Sequence, residues 1–189
     1  IPIEEDSASS PNVIVIMNEA FSDLSVLGNF ETNEDYMPFL HSVMQGNTPN
    51  TISGYLNVSV LGGNTANTEF EFLTGNTMAF LPQGSVAYQQ YVKHNDYSLA
   101  TYFKEQGYDT IAMHPYNASG WDRDKVYPLL GFDTFYSLKD WVNPHKIRKY
   151  VSDKSCYDKI IDYPQKALAK INKNAKKSWG NVKYTIFHF

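Results

Sequence analysis

"NDYSLATYFKEQGYDTIAMH", Asn95 to His114, decides the fold class. Asp96 or Ser98 offers a side-chain oxygen to the first turn of a helix, and Leu99, Tyr102 and Phe103 follow at helical spacing. Gly107 supplies the left-handed residue that ends such a helix, and "DTIAMH" is the strand that comes next. Helix, glycine, strand is the building unit of an α/β domain.

The same grammar extends in both directions. "NVIVIM", Asn12 to Met17, is a continuous apolar β-branched run and reads as a strand buried on both faces, as in a parallel sheet. "NEDYMPFLHSVMQGN" carries apolar residues at helical spacing with Gly46 as a stop. "TISGYLNVSVLGG", from Thr51, reads as a second extended segment ending in a glycine pair. "TANTEFEFLTGN" is a short helix with Phe70, Phe72 and Leu73 near one face and Gly75 as its terminator. "WDRDKVYPLLGFDTFYS" gives a short helix, a glycine turn and a strand or loop. "SDKSCYDKIIDYPQKALAKINKNAKK" is helical behind a Ser152/Asp153 cap, with a break expected before Pro164. "VKYTIFHF" is a last buried strand, expected to present an open edge. The order predicts a mainly parallel sheet with helices on both faces.

Composition narrows the function. The 189 residues suffice for one domain with a sizeable core, and 42% hydrophobic with 19% charged residues is globular. A net charge of −4 argues against nucleic-acid binding, which needs surplus Lys and Arg. Cys156 is the only cysteine, so neither an intrachain disulfide nor a thiolate zinc cage is available. No stretch approaches the roughly 18 apolar residues of a membrane-spanning helix. "IPIEEDSASSP", residues 1–11, reads as a linker, and residues 12–189 as the domain.

In parallel sheets the reactive groups gather beyond the C-terminal ends of the strands, which selects three places here. The first strand ends at Asn18-Glu19, where a carboxylate after a buried run needs a partner or a metal, and its oxygens suit Mn²⁺, Mg²⁺ or Zn²⁺. The second segment ends at Gly62-Gly63-Asn64-Thr65. The glycines permit a tight turn and close approach of a ligand, and Thr65 opens a helix whose positive end favours an anion. An Asn64 or Thr65 side chain acting as a plain helix cap explains the same letters, and Thr68 is a rival hydroxyl one turn later. The third place is His114, followed by Trp121 and Arg123 in "HPYNASGWDRD". Arginine offers a planar fork for phosphate oxygens, histidine a hydrogen bond or proton, and tryptophan a wall for an organic headgroup.

"NVIVIMNEAFSDL", "GGNTANTEFEFLTGN…FLPQGS" and "HPYNASGWDRDKVYPLLGFDTFY" together resemble the extracellular catalytic domain of lipoteichoic acid synthases, phosphoglycerol transferases of the sulfatase/alkaline-phosphatase superfamily. The resemblance runs from Asn12 to the final strand. It implies the N-terminal part of such a domain, with Thr65 as a nucleophile bound to a divalent metal, usually Mn²⁺. It places a metal carboxylate on Glu19, and headgroup contacts on His114, Trp121 and Arg123. It further implies that Thr65 attacks the phosphorus of phosphatidylglycerol and then passes the group to an envelope polymer or glycolipid, on the outer face of the cell membrane. Ala20 replaces a serine common after the metal glutamate, and Tyr116 replaces an acidic headgroup contact. An Asp-His metal pair and a further His have no counterpart, so activity is not expected of these 189 residues alone. The alternatives are a phosphodiesterase or sulfatase hydrolase of the same superfamily, and an inactive binding module.

Overall fold

The computed structural model describes residues 11–18, 21–174 and 183–188. Its core is a four-stranded sheet formed by β1 (Val13–Ile16), β2 (Asp109–Met113), β3 (Thr134–Tyr136) and β6 (Tyr184–His188). The spatial order is β1-β6-β2-β3 and every pairing is parallel. A two-stranded antiparallel hairpin, β4 (Lys146–Ile147) with β5 (Tyr150–Val151), stands apart from it.

Helices cover both faces. Because strand side chains alternate, Ala112 and Phe187 point to one side while Ile111, Met113 and Ile186 point to the other. On the first side lie α2 (Thr65–Thr74), α3 (Ala87–Gln90), α4 (Leu99–Glu105) and α5 (Arg123–Leu129), which contribute Phe70, Leu73, Tyr88, Ala100, Tyr127 and Leu130 to one core. On the second side α6 (Asp153–Asn174) packs Cys156 and Ile160 with Trp141 against the sheet. A further helix, α1 (Pro38–Met44), starts with proline in its first turn, where the missing N–H matters least.

The deciding stretch folds as its residues predict. Ser98 caps α4 by accepting from the backbone N–H groups of Ala100 and Thr101, and Gly107 turns left-handed at φ 80° before β2 begins. The next unit repeats the design, with α5, Gly131 at φ 91° and β3. Thr110 and Asp133 stitch the two units together. The Asp133 carboxylate accepts from the Thr110 N–H at 3.1 Å and the Thr110 hydroxyl at 2.9 Å, and pairs with Lys104 of α4.

Five expectations are corrected. β1 is not buried on both faces, because it ends the strand order and, among the described residues, Ile14 and Ile16 on one face remain 47% and 44% exposed. Residues 51–61 form no strand, and Ile52, Tyr55 and Leu61 lie almost fully exposed. The alternating letters are strand-like, but among the described residues no strand lies alongside to complete their hydrogen bonds. The helix α6 runs through Pro164 without a break, since a proline removes one backbone donor without forcing a helix to end. Phe72 leaves the buried face of α2, because at 3.6 residues per turn it lies about 200° around the helix from Phe70, and it is partly exposed. The last strand is not an open edge. β6 is paired on both sides, Ile186 facing Ile14 of β1 and Ile111 of β2. Residues 1–10, read as most of a linker, lie outside the described residues.

Candidate active site

The four strands finish level with one another. Ile16 is opposite His188, His188 opposite Met113, and Met113 opposite Tyr136. With neighbouring strands about 4.8 Å apart, the chain leaving β1 and the chain leaving β2 start roughly 10 Å from each other. Two of the three places singled out in the sequence therefore share one rim of the sheet. The His114 N–H extends that rim by donating to the Tyr136 carbonyl at 2.9 Å.

The glycine pair brings the third place to the same rim. Gly62 adopts φ 79°, which an L side chain rarely tolerates, and the Asn64 N–H donates back to its carbonyl at 3.0 Å. The chain is thereby turned straight into α2, whose first residue is Thr65. Asn64 is the cap residue, yet its side chain makes no capping bond, so the plain-cap explanation of this asparagine is not realised. A cavity of about 550 Å³ is walled by Met17 and Asn18 from the end of β1, by Gly62 and Gly63, and by Thr68 and Phe72 of α2. The end of the first strand and the glycine turn thus face one space, and Thr68 looks into its largely apolar interior.

Asn67 holds the far side of α2. Its amide donates to the Ser85 carbonyl at 2.8 Å and accepts from the Ala87 N–H at 2.9 Å. The segment "LPQGS" is therefore strapped beside the helix start, which accounts for a buried asparagine two residues after Thr65.

Glu69, one turn beyond Thr65, carries the electrostatics. It is 0% exposed, and Arg123 is 2% exposed. Arg123 Nε donates to Glu69 Oε2 at 3.2 Å, and Arg123 Nη2 donates to Glu69 Oε1. The Tyr127 hydroxyl adds a third donor to Oε2 at 3.1 Å. Burial pushes the Glu69 pKa up, and the opposing pull of Arg123 and Tyr127 leaves it still raised. All three contacts donate to its oxygens, which suits a carboxylate and not a protonated acid. For Arg123, burial works against the charge, and the Glu69 carboxylate outweighs it and leaves the guanidinium pKa raised.

Arg123 Nη1 turns toward the loop, 3.3 Å from the Gly120 carbonyl and 3.3 Å from His114 Nε2. Trp121 and Asp122 both sit at φ 57°, a left-handed conformation that costs a non-glycine residue on the order of 1 kcal/mol or more. Trp121 is half-buried against the core, and Lys125 pairs with Asp122 at 2.8 Å. Tyr116, about half exposed, stands edge-on to His114 with ring centres 6.3 Å apart.

Of the expected site residues, then, the structure brings His114 and Arg123 into contact and ties Arg123 to the helix that Thr65 opens. Trp121 lies between them in the chain. Glu19 lies outside the described residues. Among the described residues no three His, Cys, Asp or Glu side chains gather to hold a metal, so the donors on hand do not by themselves fit a divalent cation. Glu69 and Tyr127 escaped sequence reasoning. The signal was present, because a glutamate flanked at helical spacing by Ala66, Phe70 and Leu73 must lie on the buried face.

The parallel sheet is covered by helices on both faces, and the glycine turn leads into the start of α2 beside its C-terminal rim. The chain belongs to the sulfatase family, whose model matches residues 11–179. A Rhizobium meliloti (strain 1021) protein named for cyclic beta-1,2-glucan modification is 38% identical over 161 residues, covering 85% of this chain and 24% of that protein. The lipoteichoic acid synthase of Staphylococcus saprophyticus subsp. saprophyticus is 30% identical over 161 residues, covering 83% of this chain and 24% of its own. The crystal structure of the lipoteichoic acid synthase LtaP from Listeria monocytogenes superposes with a TM-score of 0.70 at 25% identity, covering 94% of this chain and 39% of that one. Streptococcus pyogenes phosphoglycerol transferase GacH, solved with sn-glycerol-1-phosphate, shares the fold with a TM-score of 0.68 at 24% identity, covering 94% and 44%. The chain spans about a quarter of the length of the curated relatives it matches. No described helix is long and apolar enough to cross a membrane.

Proposed function

We propose that this chain carries the nucleophile and headgroup side of a transferase that moves phosphoglycerol, or a related phospho-headgroup, from a phospholipid to a cell-envelope polymer or glycolipid. The Thr65 oxygen attacks phosphorus, the P–O bond to diacylglycerol breaks, and the departing oxygen takes a proton. In the second step an acceptor hydroxyl attacks the Thr65 phosphodiester, and its proton returns to Thr65. Arg123 and His114 hold the phosphate and glycerol oxygens, and Trp121 walls the headgroup. Mn²⁺, or another divalent cation such as Mg²⁺ or Zn²⁺, belongs to the same reading through Glu19 and Thr65. So does a place on the outer face of the cell membrane for the whole protein.

The observation that supports this best is the link between helix and loop. α2 begins at Thr65 without a side-chain cap and, one turn later, grips the arginine of the His114 loop. The name of the Rhizobium relative favours a glucan as one acceptor, and the sulfatase family match favours a second reading in which water replaces the acceptor.

Incubating the intact protein with labelled phosphatidylglycerol and mapping the modified residue by mass spectrometry tests the proposal. A glycerophosphoryl group on Thr65, discharged faster by an added glucan or glycolipid than by buffer, is the expected result. Discharge at the same rate in buffer points to the hydrolase. Turnover with the group on Thr68, or with no adduct in a Thr65→Ala variant that stays active, overturns Thr65 as nucleophile.

A further inference from the structure

The guanidinium of Arg123 has five N–H donors in a fixed plane. Nε and Nη2 form one side of that plane, and both are directed at Glu69. Nη1 lies at the opposite end, beside His114 Nε2 and the Gly120 carbonyl. A fork held this way cannot present its Nε side to an incoming phosphate. What it can still present is the end formed by Nη1 and the second Nη2 N–H, away from Glu69 and with Nη1 on the His114 side. Glu69 also cancels the arginine's charge within the protein, so the loop is not a simple cationic trap, and attraction for an anion depends on where the remaining N–H groups point.

The grip comes from α2, four residues after Thr65. Four residues of helix rise about 6 Å, so the carboxylate and the Thr65 hydroxyl are fixed relative to each other by a single turn of hydrogen-bonded backbone. The Tyr127 hydroxyl, from α5, adds a hydrogen bond to Glu69 Oε2 at 3.1 Å, which favours this orientation of the carboxylate.

We propose that Glu69 is a positioning residue, which selects the edge of Arg123 that meets the headgroup phosphate and registers that edge against Thr65. This rests on the phospho-headgroup reading of the site. Glu69 touches no substrate and acts through Arg123. Tyr127 supports it from the second oxygen.

The test is a double-mutant cycle on binding of sn-glycerol-1-phosphate by the intact protein, with thermal unfolding of each variant as the folding control. Glu69→Gln keeps the shape and one acceptor but loses the two-pronged charge-assisted grip, and it should weaken binding about tenfold. Arg123→Lys should weaken it by a similar factor. The double variant should be no weaker than Arg123→Lys alone, because Glu69 has nothing left to orient. Tyr127→Phe removes a single donor and should give a smaller loss that likewise vanishes in the Arg123→Lys background. It carries the test if Glu69→Gln does not fold. Binding by Glu69→Gln equal to the unaltered protein, or losses that simply add in the double variant, overturns the proposal while leaving the phospho-headgroup reading intact. Absence of binding by the unaltered protein overturns that reading and the positioning role with it.

Discussion

Glu69 grips Arg123 by both carboxylate oxygens across 54 residues of chain, joining the helix after the glycine turn to the loop after β2. Neither side chain reaches solvent to any useful extent. Removing one partner leaves the other buried and uncompensated, which costs roughly 3–5 kcal/mol, whereas replacing both with apolar residues of similar volume is often near neutral. Arg123→Met should therefore destabilise the fold by about that amount in urea titrations, and Glu69→Met/Arg123→Met should recover most of the loss. A double variant less stable than either single one would show that the pair is worth more than its desolvation.

Thr65 and Thr68 share one helix and one functional group but face different surroundings. Thr68 lines the cavity beside β1, and Thr65 opens the helix at the rim. Thr65→Ala should abolish headgroup release by the intact protein and leave its unfolding midpoint nearly unchanged. Thr68→Val, which keeps the shape, should retain activity. The reverse pattern would move the nucleophile one turn along.

Gly131 is confined from two directions. Its φ is 91°, and a Cβ there would come within 2.6 Å of the Thr101 hydroxyl and 3.1 Å of the Thr101 backbone nitrogen. Backbone cannot yield as a side-chain tip can, so Gly131→Ala combines conformational strain with a steric push between α4 and β3. A loss of about 2 kcal/mol or more is expected from the strain alone. Gly46→Ala, at φ 73° with open space around it, isolates the conformational part and should lose less.

Asp23 gives the fold an acid-sensitive clasp. The Tyr36 hydroxyl donates to its carboxylate at 2.6 Å and the Ser25 N–H at 2.9 Å, and these hold its pKa down from 3.8 to about 2. A carboxylate lowered in the folded state stabilises it fully above its ordinary pKa. That stabilisation is lost as pH falls through the lowered value. The unfolding midpoint should drop between about pH 5 and about pH 2, and Asp23→Asn should show a shallower drop across that window. An identical slope for the variant would mean that the clasp contributes nothing.

Much of this architecture is legible in the letters, and the reasons differ by element. Around α4 and β2 the cap, the periodicity, the glycine and the β-branched run all point the same way, and the structure follows each of them. Residues 51–61 show the limit of that method. Their alternation satisfies the rule for a strand, but a strand exists only where a neighbour supplies its hydrogen bonds, and sequence pattern says nothing about neighbours. The same gap hid the position of β6, whose apolar run fits an edge or a centre equally well. At the site, His114 could be placed on the rim because it ends a parallel strand, whereas Gly62 to Thr65 end a segment that forms no strand and reach the rim through the glycine turn instead. Glu69 could not be assigned a role, because its partner lies far along the chain and only folding brings them together.

The place of β6 has a kinetic meaning. Val13 pairs with Thr185 and Asp109 with Tyr184, so of the four described strands the last to be made joins the first to the other two. During synthesis β1 has no sheet partner among the described residues until 184–188 have cleared the ribosome, and closing so long a loop is a slow, late step. The α2–α5 side can gather around β2 and β3 well before then. β1, an apolar run whose described sheet partner is β6 alone, must wait unpaired. Nascent chains of this protein should therefore be most prone to aggregation, and most dependent on chaperones, in the interval between the completion of β3 and the arrival of β6.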